Sequence, residues 1–217
     1  MARLSKLQML PRREYRGVNR EDPIRFYHWP IIGGLYRRRI ELCLAECHGG
    51  ERVLEVGFGS GVTFLNLHAM YSEIYGLDLT ASVEEVAAVF AARRIKTDLR
   101  NGDVLSMPYA DNTFDTVLLI SILEHLKPDR QSAAFQEIHR VLKPGGQVVY
   151  GVPIERPLMV FLFRLLGTNI RKEHYSTEFD VVSAAGAVLK RVRLIQMRGA
   201  FSLFGPVYEV GHFVKRA

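Results

Sequence analysis

Apolar positions along the chain fall into short blocks whose spacing alternates between two periods. Residues 52–56, 73–77, 114–120 and 147–151 are brief apolar runs of the kind that form strands buried on both faces, and residues 95–99 read as a further strand among them. The stretches 61–70, 81–94 and 129–142 lie between these blocks and carry helical spacing; the last opens at a good N-cap and closes at Lys143-Pro-Gly-Gly146. An earlier helix is predicted over 31–47, with Leu35, Ile40, Leu42, Leu44 and Ala45 as its apolar positions and His48-Gly-Gly50 as its stop. Near the end, 176–189 reads as a helix with Thr177 placed to cap it and Phe179, Val182, Ala185 and Leu189 on one face. Residues 192–197 and 207–214 then form two strands. The link between these two strands is too short for a crossover helix, so they should pair antiparallel. Strands that alternate with helices demand parallel pairing, and the expected fold is a three-layer, Rossmann-like, doubly wound α/β sheet of seven strands.

Composition adds little to this picture, whereas the placement of charge adds more. The 217 residues are 48% hydrophobic, which suits one soluble domain. The formal charge of +6 is concentrated at one end: residues 1–40 hold ten Lys and Arg against three acids, and the remainder holds 19 basic and 20 acidic residues. Residues 1–30 therefore read as a basic arm ahead of a single domain over 31–217, and a local basic patch points to an anionic partner. No N-terminal apolar segment resembles a leader, and the run Pro157–Phe163 is too short to span a bilayer. Cys43 and Cys47 are the only cysteines. They stand one helical turn apart, read as small helix residues rather than metal ligands, and make a reducing cytoplasm the default location.

The candidate chemistry begins at Val53-Leu-Glu-Val-Gly-Phe-Gly-Ser-Gly61, an apolar strand that ends in an acid and a glycine loop. A nicotinamide fingerprint places its third glycine three residues after the second. Val62 occupies that position here, and the third glycine comes early, at Gly61. Asp78 closes the next strand about twenty residues beyond the loop, the spacing at which a carboxylate meets a ribose diol; the alternative is a cap for the following helix. Asp103, just past the third strand, either accepts from an adenine amine or is a solvated turn acid.

The pattern E-x-G-x-G-x-G resembles the first motif of class I S-adenosylmethionine (SAM)-dependent methyltransferases. Further segments follow in order: Gly102-Asp103, Met107-Pro108, Asp111-Asn-Thr-Phe-Asp115, Glu124-His125-Leu126 and Leu142-Lys-Pro-Gly-Gly146. Together they resemble the family typified by ubiquinone and menaquinone biosynthesis methyltransferases, over roughly residues 50–152. The resemblance implies strand order 3-2-1-4-5-7-6 with the last strand antiparallel, and SAM as cofactor. It implies that Glu55, Gly57, Gly59 and Gly61 surround the methionine and ribose portions, that Asp78 and its neighbour Leu79 meet the ribose side, that Asp103 and Val104 border the adenine, and that Ser121 lies near the methionine end. Phe58 departs from the family, which commonly has small or polar residues or cysteine there; its ring would either crowd the loop or stack on the ligand. His125, His174 and Tyr175 are the candidates for a base, with local packing the competing role for the Glu124–His125 pair.

Methyl transfer from SAM needs positioning more than a nucleophilic side chain or a metal, and no metal is expected. The acceptor must be sought outside the conserved motifs of the resemblance. Arg25–Arg39 mixes aromatic rings and arginines, a composition that suits an anionic membrane interface, and residues 153–180 are the variable lid and substrate segment. A small apolar or lipid acceptor is the expectation, with peripheral membrane contact through residues 1–40. A nucleic-acid methyltransferase, a catalytically silent SAM-binding protein and a dehydrogenase are the alternatives, in falling order.

Overall fold

Strand β4 (Phe114–Ile120) shows why the sheet is central: Val117, Leu118 and Leu119 are consecutive and all fully buried, so both faces of the strand are covered. The computed structural model describes residues 6–18, 22–30, 32–154, 175–198 and 205–216. The remaining strands are β1 (Gly50–Val56), β2 (Tyr71–Asp78), β3 (Thr97–Asn101), β5 (Leu142–Pro153), β6 (Lys190–Arg198) and β7 (Pro206–Val214). They form one sheet in the order β3-β2-β1-β4-β5-β7-β6, with β7 antiparallel to both of its neighbours, as the resemblance implied.

The helices are α1 (Ile24–Tyr27), α2 (Gly33–Glu46), α3 (Phe64–His68), α4 (Val83–Ala91), α5 (Pro128–Val141) and α6 (Glu178–Val188). Two apolar cores lie on opposite faces of the sheet. One joins Ile40 and Cys43 of α2, Phe64 of α3 and Phe90 of α4 to Leu10 and Tyr15 of the arm. The other joins Phe135 and Ile138 of α5 to Val181 and Ala185 of α6. This is the three-layer, doubly wound arrangement expected from the alternation of periods.

Several boundaries differ from those read in the sequence, each for a local reason. The third strand begins two residues late, at Thr97. Arg94 takes a left-handed conformation (φ 61°) after α4. Ile95 N then bonds back to Phe90 O and its side chain is buried, so the chain is still closing the helix. Helix α5 starts with Pro128 in its first turn and Lys127 as its cap, so Asp129 lies inside the helix rather than at its N-cap. Thr177 does cap α6, in a reciprocal box with Asp180. The buried face of α6 is Val181, Ala184 and Ala185, while Phe179 is 75% exposed. Leu35 and Ala45 of α2 are likewise exposed, and the buried apolar side chains of that helix are Ile40, Leu42, Cys43 and Leu44. Cys43 and Cys47 are buried and unbridged, and burial pushes the Cys47 thiol up to about 12, consistent with an inert structural role.

Candidate active site

β1 runs out at Val56, and the chain turns through Gly57, Phe58, Gly59, Ser60 and Gly61 before α3. Gly57 has φ 72° and Gly59 φ 51°, a region that side chains disfavour. A Cβ on Gly57 would overlap the Ile122 side chain, and one on Gly59 would come within 2.8 Å of Asp22 Oδ2. Gly57 N donates to Leu77 O at 2.7 Å, which ties the loop to the end of β2 and brings Asp78 alongside. Phe58 neither crowds nor faces the loop mouth. Its ring is buried beneath, 5.9 Å from that of Phe64 and against the backbone of Gly76.

The acids expected at this loop are gathered there. Asp78 Oδ2 accepts from Gly59 N at 3.0 Å, and Oδ1 accepts from Thr80 N and Ala81 N, both at 2.9 Å. The two readings of this residue are therefore compatible: it caps the turn into α4 and also braces the glycine loop. Glu55 is buried and accepts from the Thr63 hydroxyl. Burial pushes its carboxyl up to about 8, the Thr63 hydrogen bond opposes this, and the charge of Asp78 adds to it. Asp22 comes from the basic arm and was not anticipated as a site residue. Its Oδ2 accepts from Ser60 N at 2.7 Å and its Oδ1 from Ile24 N at 2.8 Å. Burial raises its carboxyl above the usual range despite the Ser60 bond. No local signal in the sequence marks Asp22, because its partner lies 38 residues away. Two adjacent backbone amides of the loop, those of Gly59 and Ser60, thus already face carboxylates.

The other expected positions surround this centre. Leu79 follows Asp78 and is 69% exposed, an apolar side chain left uncovered beside the loop. Asp103 Oδ1 accepts from Leu105 N at 3.0 Å, the turn role, while Val104 is buried in the core. Ser121 ends β4 with φ 57°, uncommon for a non-glycine residue. Its N–H reaches Gly151 O at 2.8 Å and its hydroxyl lies 3.0 Å from the Tyr208 hydroxyl, contacts that hold the strained turn in place. His125 is exposed on the short 3₁₀ turn after β4. Tyr175 is 55% exposed, and its N–H donates to Glu124 O at 2.8 Å, so these two candidates meet at the same strand end. His174 and most of the 153–180 segment lie outside the described residues. Among the described residues, no group of three His, Cys, Asp or Glu side chains could hold a metal ion.

Residues 54–150 match the family model described as a methyltransferase domain. The ubiquinone biosynthesis O-methyltransferase of Alkalilimnicola ehrlichii is 31% identical over 131 residues, covering 58% of this chain and 52% of that protein. The demethylmenaquinone methyltransferase of Shouchella clausii is 32% identical over 130 residues, covering 55% and 54%. The chain thus spans about half the length of these curated relatives. Among solved structures, the N-methyltransferase NodS of Bradyrhizobium japonicum, in complex with S-adenosyl-L-homocysteine, superposes with a TM-score of 0.69. The overlap covers 93% of this chain and 96% of that one at 19% identity, a likeness of fold.

Proposed function

We propose that this chain, whose residues 54–150 match a methyltransferase domain and resemble ubiquinone and menaquinone methyltransferases, transfers a methyl group from SAM to a small acceptor. The observation that carries this reading is electrostatic. The glycine-loop amides of Gly59 and Ser60 face the carboxylates of Asp78 and Asp22. A dinucleotide would bring a pyrophosphate to such a loop, against these acids. A cationic sulfonium ligand meets them favourably, so the residues present fit SAM better than a nicotinamide cofactor.

SAM, when bound, supplies a methyl group already activated by its sulfonium. The chain's own part is to bind and orient. Gly57 and Gly59 keep the loop free of side chains, Asp78 retains acceptor capacity on Oδ2 for a ribose hydroxyl, and Leu79 offers an apolar surface beside it. Asp103 keeps one carboxylate oxygen for the adenine side, and Ser121 sits at the strand end where the methionine portion is expected. Positioning of this kind is worth ~7–11 kcal/mol of a barrier. His125 and Tyr175, at one strand end, are the described candidates for removing a proton from the acceptor; His174 is the third. One further observation favours peripheral contact with an anionic membrane: Trp29 and Leu35 are exposed among the arginines of residues 12–39.

Calorimetry tests the cofactor assignment. S-adenosylhomocysteine should bind the wild-type chain, and Asp78→Ala should weaken it by about 10- to 100-fold. Tight NADH binding with no S-adenosylhomocysteine binding would refute the assignment. Transfer of labelled methyl from SAM into fractionated extract then sorts the acceptor. Label in the small-molecule or lipid fraction supports the proposal, label in RNA favours the nucleic-acid alternative, and no label in any fraction indicates a silent binder.

A further inference from the structure

Three consecutive arginines on α2 have different surroundings. Arg37 donates to Tyr27 O, and Arg38 pairs with Glu41 at 3.8 Å. Arg39 turns toward the sheet. Its guanidinium lies 4.0 Å from the ring centroid of Tyr36 and 5.2 Å from that of Tyr208. Its Nε is shut off from solvent and has no hydrogen-bond partner, and among the described residues no carboxylate forms an ion pair with it. Glu124, buried on the turn after β4, acts on it only at longer range. A guanidinium cannot shed its charge, so shutting one of its N–H donors away from water without an acceptor is costly, and the two tyrosine faces compensate only part of that cost. An unused donor in such a place calls for an explanation.

The location supplies one. Tyr208 lies opposite Pro153 at the carboxyl end of β5, and its hydroxyl touches that of Ser121 at the end of β4. In the sheet order, β7 stands three strands from β1 and four from β2. With strands about 4.8 Å apart, Arg39 is some 10–20 Å from Asp78, beyond Ser121. The glycine loop and Asp78 occupy one side of Ser121, and Arg39 occupies the other. Ligands of such sheets bind at the carboxyl ends of the strands.

Resting on the methyltransferase reading above, we propose that Arg39 is the specificity residue of the acceptor subsite and that its guanidinium, steadied by the Tyr36 and Tyr208 rings, binds an anionic oxygen of the acceptor, carboxylate or phenolate. The planar guanidinium fork matches an anionic oxygen, best of all a carboxylate, and the tyrosine rings hold the fork in orientation.

The test titrates benzoate, 4-nitrophenolate and neutral benzamide at pH 8 into the full chain saturated with S-adenosylhomocysteine. At least one anion should bind, which distinguishes carboxylate from phenolate, and benzamide should not. Arg39→Gln should weaken the anion by about 10- to 100-fold and leave S-adenosylhomocysteine affinity unchanged; Arg39→Lys should retain part of the binding, because charge persists without the fork. If Arg39→Gln is unstable, the comparison of anion with amide on the wild type and the Arg39→Lys result carry the test. Failure of both anions to bind, equal binding of benzamide, or unchanged anion binding in Arg39→Gln would overturn the inference alone. Loss of S-adenosylhomocysteine affinity in Arg39→Gln would also overturn it, by assigning Arg39 to the donor's own carboxylate. Failure of S-adenosylhomocysteine to bind the wild type would remove the methyltransferase reading and this inference with it.

Discussion

Glu55 lies in the buried part of β1 and faces the Thr63 hydroxyl, with no cation among the described residues paired to it. Its folded-state value near 8 stands above the ordinary 4.5, so between those limits the folded chain holds a proton that the unfolded chain has lost. The stabilising contribution is complete below about pH 4.5 and disappears as pH rises through 8. Glu55→Gln keeps the shape and removes the titration. Thermal unfolding of the two proteins should match near pH 5, and the variant should be the more stable at pH 9 by on the order of a few kcal/mol. Parallel stability curves across that range would show that the carboxyl is not held neutral. The same residue illustrates what local sequence conveys: an acid at a strand end before glycines is visible, whereas its desolvation is not. Asp78 was legible by spacing from the glycine loop. Asp22 and Arg39 were not, since each acquires its surroundings from segments far away in the chain.

Strands and helices carry the site by fixing the loops between them. Arg140 on α5 shows how. It donates to Met107 O at 3.0 Å and Tyr109 O at 2.7 Å and pairs with Asp111 and Glu137, while Glu137 accepts from Met107 N at 2.9 Å. One helix thereby clamps the loop between β3 and β4, which carries Asp103 and Val104. Arg140→Ala should cost about 1–3 kcal/mol of stability, and it should weaken S-adenosylhomocysteine several-fold without removing a group from the glycine loop. Denaturation and calorimetry on the same variant read both effects, and an unchanged affinity would disconnect this loop from the ligand. Elements on the α5 side were legible from periodicity, but their ends were set by tertiary contacts: Ile95 closing α4, Pro128 opening α5, and the buried face of α6 lying on Val181 and Ala184 rather than Phe179.

At the scale of the molecule, the basic N-terminal arm is part of the core as well as a charged surface. Leu10 and Tyr15 are buried with residues of α3 and α4, Glu14 pairs with Arg93, and Gly17 N donates to Glu85 at 2.7 Å. Asp22 then delivers the arm to the glycine loop. On its outer side Arg12, Arg25, Phe26 and Trp29 line one surface hollow. No described helix is long and apolar enough to cross a membrane. Vesicles containing anionic lipid should therefore sediment the chain at low salt and release it at high salt, as counterions screen the arginines. Trp29→Ala should weaken this several-fold, and neutral vesicles should not bind. No sedimentation at low salt would remove the membrane from the proposal.

By itself the sequence determined the alternation of strand and helix, the glycine loop after β1, the acid after β2 and, through its ordered motifs, the strand order and the cofactor class. The first three depend on short-range spacing, which period and backbone freedom dictate; the strand order and the cofactor class came through the resemblance that the ordered motifs carry. Tertiary structure alone decided what each charged group meets: Asp22 on Ser60, Glu55 sealed beside Asp78, and Arg39 against the rings of Tyr36 and Tyr208. Contacts of that kind depend on folding distant segments against one sheet end, where burial strengthens each charge and an unmet donor becomes costly.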